Sequence, residues 1–459
     1  MDDKRQQIQL KLAFMEEGKG EALRASREGT EASVAVRAPE SPAICCEYLM
    51  EEVLERDNLR KALRRVKSNK GSSGIDGMSV WKLPGYLKEH WQEERDQLLR
   101  GTYKPQPVKR VEIAKPGGGV RKLGIPTVLD RFIQQALLQV LQKYWDSTFS
   151  EHSFGFRPKR SAHQAVACAQ QHLAGGYCWI VDIDLEKFFD RVNHDMLMGR
   201  VAKRVRDRRV LKLIRAFLNA GVMKNGMVSP ITEGTPQGGP LSPLLSNIVL
   251  DDLDRELERR GHRFVRYADD CNVYVRSKRA GRRVMESLTR FITRNLKLKV
   301  NEAKSAVVQP WECTFLGFSF TSGPEPKRRV APQAIERLKE RIRKLTRRTR
   351  AVGLKQMVAE LAQYLIGWKG YFGFGQTIDV LKKLDSWIRR RLRCVAWKQW
   401  KRGRVRFTEL RARGVIKDLA AQTAGSPHGP WRISRSPALS FAFPNAYFKT
   451  LGLPSLASN

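Results

Sequence analysis

Two rhythms of apolar positions divide this 459-residue chain. From about residue 80 to 325, short apolar runs alternate with longer periodic ones. KRVEIAKPGGGVRKLGIP (109–126) reads as two strands joined by a glycine turn, and VLDRFIQQALLQVLQKYW (128–145) as a strongly apolar helix. CWIVDIDL (178–185) reads as a short buried strand, and FVRYADDCNVYV (264–275) as a hairpin with two aspartates at its tip. Ser277 to Asn295 predicts a helix, with LKLKVN (296–301) as a strand after it. Ahead of this region, LMEEVLERDNLRKALRRVK (49–67) reads as one amphipathic helix and SNKGSSGIDGMSV (68–80) as a glycine-rich loop. After Pro332 the pattern becomes helical: Ile335, Leu338, Ile342 and Leu345 share one face, and Arg337, Arg341, Lys344 and Arg348 form a stripe beside it. Residues 1–47 are poor in large apolar side chains and read as a mobile extension.

Charge sharpens this outline. Lys and Arg number 85 against 47 acids, a net of +38. So large an excess of one sign suits a polyanionic partner, nucleic acid first, and exceeds what solubility calls for. Residues 326–413 carry 26 Lys/Arg and only 6 Asp/Glu, interleaved with Trp368, Tyr371, Phe372, Phe374, Trp387, Trp397 and Trp400. Basic stripes among aromatics suit a helical nucleic-acid-binding module. Most of the aromatics are assigned to the core and most of the arginines to RNA or DNA. No apolar run reaches the roughly 18 residues of a membrane span, and the charged start MDDKRQQIQLKLAF leads into no signal-peptide core. None of the seven cysteines forms a CxxC pair, so no zinc ribbon or disulfide framework is expected and a reducing cytoplasm fits.

The aspartate pair carries the candidate chemistry. A lone Asp-Asp in a turn is usually only a turn. Here VRY and CNVYV flank it as strands, so Asp269 and Asp270 are held close, where each raises the cost of ionising the other. A bound divalent cation is the simplest compensation. Asp182 and Asp184 lie two apart and leave one face of their strand. If that strand lies beside the hairpin, three or four carboxylates converge. Oxygen ligands alone favour Mg²⁺ over zinc, and two Mg²⁺ ions held by aspartates suit in-line phosphoryl transfer. Lys115 and Arg121 flank the glycine turn and are candidates to meet phosphates. His152, His163 and His194 sit near these segments, but their spacing suits no metal, and they read as structural or as nucleic-acid contacts.

In this order the segments resemble the group II intron-encoded reverse transcriptases, or maturases, from Leu49 to the C-terminus. KPGGGVRKLGIPTVLDRFIQQAL is similar to the family's second block and EHSFGFRPKRSAHQA to its third. VDIDLEKFFDRVNHD resembles polymerase motif A, GTPQGGPLSPLLSNIVLDDLD motif B, YADD motif C, LKVNEAKS motif D and FLGFSF the primer grip. LAQYLIGWKGYFGFGQ and LDSWIRRRLRCVAWKQWKR resemble the maturase thumb. The resemblance implies an α/β right-hand polymerase, with fingers and palm over 48–325. An all-α thumb/maturase domain follows over 326–413, then a DNA-binding or tail segment over 414–459.

The resemblance also implies roles. Asp184, Asp269 and Asp270 would be the catalytic metal ligands, with the Leu185 carbonyl completing the site and Asp182 standing outside it. Phe189 matches the steric gate that selects dNTPs, with core packing expected of one ring of the Phe188–Phe189 pair. Lys115 and Arg121 match the residues that bind the triphosphate, Gln237 lines the nucleotide side with Gly238 and Gly239, and Lys304 matches the motif-D lysine proposed to protonate pyrophosphate. Arg341, Lys344, Arg348, Arg389, Arg390 and Arg391 are the expected nucleic-acid contacts. The implied partners are group II intron RNA, target DNA and dNTPs. The place is the bacterial cytoplasm, on the nucleoid when DNA is bound. Many relatives end in an HNH-type endonuclease with paired cysteines; this chain has no cysteine beyond Trp397, so that domain is not expected. Two other readings stand beside the polymerase: a splicing cofactor with a vestigial polymerase, and a host-recruited reverse transcriptase in defence or repair.

Overall fold

The computed structural model describes residues 48–114, 118–224, 227–229, 233–235, 238–347 and 349–457. The extension over 1–47, Lys115, Gln237 and Arg348 lie outside the described residues. The chain divides into two compact units, one ending at Gln309 and one starting at Pro310.

The first unit begins with α1 (Leu49–Val53) and α2 (Arg56–Ser68), not with one continuous helix. The buried positions of α2 are Asn58, Ala62 and Val66, a stride of four. At 3.6 residues per turn that stride drifts around the helix. A straight helix would therefore swing them off the face of Leu49, Met50 and Val53, and the chain instead passes through an extended Glu55. Next come α3 (Leu83–Arg100), the strands β1 (Val108–Ala114) and β2 (Val120–Ile125), and α4 (Val128–Trp145). The strands pair antiparallel with Lys109 opposite Ile125. Thr127 caps α4 by accepting from the Asp130 amide.

Then come α5 (Ala162–Ala174), β3 (Trp179–Ile183), α6 (Phe188–Arg191), α7 (His194–Ala202), α8 (Arg208–Asn219), β4 (Val222–Lys224) and β5 (Met227–Ser229). The unit ends with α9 (Ser242–Arg259), β6 (Arg263–Tyr267), β7 (Asp270–Val275), α10 (Lys278–Phe291) and β8 (Ala306–Val308). One sheet has the order β2-β1-β4-β5; the other is antiparallel with the order β6-β7-β3-β8. Val181 faces Val273 and Val307 in this second sheet, so β3 lies in its interior, as the apolar run at 178–185 implies.

LKLKVN departs from the expected strand. Leu296, Leu298 and Val300 are buried in alternation, but Lys297 has φ +55° and the segment joins no ladder. It runs beside the chain just past the end of β3: the Glu186 amide donates to the Lys299 carbonyl and the Asn301 amide to the Asp184 carbonyl.

The second unit holds the paired strands β9 (Phe318–Phe320) and β10 (Arg328–Val330), followed by helices only. These are α11 (Pro332–Leu345), α12 (Leu354–Phe372), α13 (Ile378–Gln399), α14 (Gly403–Ala412) and α15 (Lys417–Ala424), then short turns of helix at Pro430–Ile433, Pro437–Ala442 and Asn445–Thr450. Leu338 and Ile342 are fully buried and Ile335 and Leu345 pack against the same core, so the apolar face of α11 is the one the spacing marks. The C-terminal segment folds onto α13, where Asp385 accepts from the Ser455 hydroxyl and the Leu456 amide. Among the described residues no helix is long and apolar enough to cross a membrane.

Candidate active site

The β6–β7 turn is built from below. Tyr267 pairs directly with Asp270, leaving Ala268 and Asp269 as the two turn residues, and Ala268 adopts φ +58°. A non-glycine residue in this left-handed region is strained, so other groups must hold it there. The Arg266 guanidinium, fully buried, donates to the Ala268 carbonyl, to Asn247 Oδ1, to Ser153 Oγ and to both oxygens of Asp254. Gly155 lies against the turn: a Cβ there would come within 2.2 Å of the Ala268 amide nitrogen. The absence of a side chain at Gly155 is what allows this approach.

Asp184 stands just past β3, held by the last residue of LKLKVN and the turn that follows it. Asn301 Nδ2 donates to its carboxylate at 2.9 Å, its amide donates to Ser305 Oγ at 3.0 Å, and Lys304 Nζ lies 3.6 Å from Oδ2. The carboxylates feel one another. Partial desolvation beside the turn, then Asp269, Asp182 and Asp184, pushes Asp270 up to about 7, although its side chain stays exposed to solvent. Burial and then Asp184 raises Asp182 to about 6. Asp269 is raised by burial, with Asp184 adding to the rise and Arg121 opposing it. Arg121 projects from β2, yet its charge reaches Asp269.

The other predicted residues are placed as follows. Leu185 is buried beside Val300. Phe188 is buried and Phe189 partly exposed, the two rings meeting edge-on at 5.2 Å. The Phe189 carbonyl accepts from the Thr235 amide, which fixes its backbone. Gly238 has φ +132°, and a Cβ there would stand 2.5 Å from the Gly124 carbonyl oxygen.

In the second unit, Arg341 and Lys344 are exposed. Arg389 is half-buried. Arg390 lies 3.8 Å over the Trp431 ring and donates to the Trp431 carbonyl, and Arg391 donates to Thr346 Oγ1. Two of the three arginines in this run are therefore held by contacts within their own unit, Arg390 against the exposed Trp431 and Arg391 against the buried Thr346. The aromatics do serve the core: Trp368, Trp397 and Trp400 are buried, while Phe372 and Trp387 pack against them.

Residues 113–320 match the family described as "Reverse transcriptase (RNA-dependent DNA polymerase)", and residues 335–414 match "Group II intron, maturase-specific domain". The chain thus joins a reverse transcriptase domain to a group II intron maturase-specific domain. It is 37% identical over 235 residues to "Protein YkfC" of Escherichia coli K12, covering 50% of this chain and 61% of that one. It is 28% identical over 406 residues to "Group II intron-encoded protein LtrA" of Lactococcus lactis subsp. cremoris, covering 74% and 65%. The "Putative COX1/OXI3 intron 2 protein" of Saccharomyces cerevisiae matches at 28% over 327 residues, 58% of this chain and 38% of that protein. The chain thus spans under two thirds of the length of each of these relatives.

Sequence reasoning about this chain missed the scaffold of the site. Ser153, Gly155, Asn247, Asp254 and Arg266 come from three separate segments, and only the fold brings them under the turn. One histidine reading also needs correction. His194 is structural, with Nε2 2.6 Å from the Gly234 carbonyl oxygen. His152, however, meets Cys168 and His172, and their ligand atoms lie within 4.8 Å of one another. Among the described residues this is the one such group of three; the aspartates are not drawn so tightly together. Cys168 and His172, four apart on α5, carried a readable signal, but His152 joins them only through the fold.

Proposed function

We propose that this chain is an RNA-directed DNA polymerase that also binds group II intron RNA and assists its splicing and mobility. The observation that carries the reading is the meeting of Asp184, Asp269 and Asp270 with Lys304 and Arg121, in a chain with a reverse transcriptase domain. The donor set fits a hard divalent cation: the carboxylates offer only oxygen, and desolvation and neighbouring carboxylates raise both, Asp184 acting on Asp269 and Asp269 on Asp270. Asp184, Asp269, Asp270 and the Leu185 carbonyl would hold two Mg²⁺ ions, which supply activation of the attacking hydroxyl and neutralisation of the leaving phosphate.

The chain's own residues do the remaining work. In the reaction the primer 3′-oxygen forms a bond to the α-phosphorus of a dNTP and the bond to the β-phosphate bridging oxygen breaks, releasing pyrophosphate. Arg121 and Lys115 meet the triphosphate charge. The ring of Phe189 takes the space that a ribose 2′-hydroxyl would need, which selects dNTPs. Lys304, anchored beside Asp184, supplies a proton to the pyrophosphate as it leaves. Gln237 contacts the nucleotide. Arg341, Lys344, Arg348 and Arg389 meet RNA or DNA phosphates, and the fields of Arg390 and Arg391 add to theirs. In this reading residues 48–325 are fingers and palm, 326–413 the thumb/maturase domain and 414–459 a DNA-contacting segment. Target DNA supplies the primer end.

Purified full-length protein is expected to extend a DNA primer on an RNA template with dNTPs and Mg²⁺, and a chelator is expected to stop it. Tight intron-RNA binding without any extension would replace this reading with the splicing cofactor.

A further inference from the structure

We propose that Cys168, His172 and His152 form a binding site for one thiophilic divalent cation, Zn²⁺ by chemistry, set apart from the carboxylate site. The geometry is nearly that of a bound metal. Cys168 Sγ lies 3.5 Å from His172 Nε2 and 3.9 Å from His152 Nδ1. A tetrahedral zinc with Zn–S of about 2.3 Å and Zn–N of about 2.0 Å sets its sulfur and nitrogen ligands roughly 3.5 Å apart. A shift of a few tenths of an ångström would bring His152 Nδ1 to that distance from the sulfur, and the three ligand atoms already lie within 4.8 Å of one another.

Each ligand is carried on a fixed element. Cys168 and His172 lie one helical turn apart on α5, so both side chains leave the same face. His152 is anchored by its backbone: its amide donates to Ser150 Oγ, and its carbonyl accepts from the Arg266 amide of β6. The His152 ring packs edge-on against Phe264 at 5.2 Å, and the His172 ring packs against Tyr274 at the same distance. His172 also makes a hydrogen bond to the backbone of Phe264, an outer contact of the kind that orients metal-bound imidazoles.

The chemistry selects the ion. Burial holds His172 down to about 4 and lowers His152 as well, so both rings keep a free lone pair at neutral pH. Burial keeps Cys168 a thiol in the absence of metal. On binding, the S–H bond breaks, a sulfur–metal bond forms and the proton passes to solvent. Sulfur and imidazole with no carboxylate favour zinc over Mg²⁺. All three side chains are partly exposed, which leaves the fourth position to water. The bound ion would clip α5 to the segment of His152 and Gly155, which lies directly beneath the Ala268–Asp269 turn.

Titration of the metal-free full-length protein with Co²⁺ tests this. The expected result is one strongly bound Co²⁺ per chain with a thiolate-to-cobalt charge-transfer band, displaced by Zn²⁺ and untouched by Mg²⁺. The band is lost in Cys168→Ser, strongly weakened in His172→Gln, and kept when Cys45 and Cys46 are both replaced by Ser. Co²⁺ held by aspartates gives no sulfur band, so the two sites are read separately. A circular dichroism spectrum matching the parent establishes that Cys168→Ser is folded. Absence of the sulfur band in the parent protein, or its persistence in folded Cys168→Ser, overturns the proposal.

Discussion

Both units hold ion-paired and ring-stacked arginines, as in Arg350–Glu360 of the second and Arg204 over Trp145 of the first, but their most telling arginines find different partners. In the first, the fully buried Arg266 is matched by an equally buried Asp254 at 2.5 Å, and Arg157 by Asp146 at 2.9 Å. In the second, Arg390 lies on Trp431, Arg393 donates to the Phe443 carbonyl, and Arg406 lies 4.6 Å over Trp397. Rings and carbonyls satisfy a guanidinium without cancelling its charge. With 26 bases against 6 acids over residues 326–413, ion pairing could neutralise only a minority in any case. The first unit therefore gathers negative charge at one cleft, and the second carries a positive field into its own packing. The difference teaches that an arginine can serve a polyanion through its field while its side chain is a structural part.

The largest expected effect breaks the first unit's pairing. Asp254→Ala leaves Arg266 buried without its carboxylate and should destabilise this unit by about 3–5 kcal/mol, read as an earlier first transition in thermal unfolding. An unchanged transition would mean that Asn247 and Ser153 suffice to hold Arg266. A smaller effect is expected of Arg390→Ala, about 1 kcal/mol from the lost stacking on Trp431. Its RNA affinity should fall by less than that of an exposed pair. If RNA binding drops sharply with no loss of stability, the packing role of Arg390 is wrong.

Arg341→Gln with Lys344→Gln removes two exposed charges. Stability should stay constant, and the slope of log affinity against log salt should shrink by roughly 1 for each phosphate left without its cation. A slope equal to that of the parent would remove these two from the RNA-binding surface. The smallest effect is a pH dependence, because Asp270 stays exposed and solvent screens it from its neighbours. Asp270 is raised to about 7 in the folded chain, so between roughly pH 4 and 7 the native state holds a proton that the unfolded state has lost. Stability of the metal-free protein should therefore fall as pH rises through that window and level off above it. In Asp270→Asn the fall should be shallower; a fall as steep as the parent's would place the titration elsewhere, with Asp182 the first candidate.

The hairpin, the interior strand and the helix over 128–145 were legible because each has a single dominant period. The unequal burial of Phe188 and Phe189 was legible too, one ring buried and one partly exposed. LKLKVN was only half legible: its alternation of burial is real, but alternation marks which side chains face inward and does not specify a backbone partner. The contacts of the arginine run were not legible for a related reason. Composition records charge, and whether the guanidinium rests on a ring or faces solvent is settled by Trp431 and Thr346, 41 and 45 residues away. The site's scaffold was not legible at all, since the partners of Arg266 reach back as far as Ser153, 113 residues earlier.

The central claim is that the Asp184–Asp269–Asp270 cleft performs the chemistry while binding of RNA belongs elsewhere. Asp269→Ala, assayed side by side for Mg²⁺-dependent extension of a DNA primer on an RNA template and for intron-RNA affinity, tests it most directly. The expected result is extension reduced to background with intron affinity within about 2-fold of the parent, a difference of under 0.5 kcal/mol. Full extension by Asp269→Ala would contradict the account.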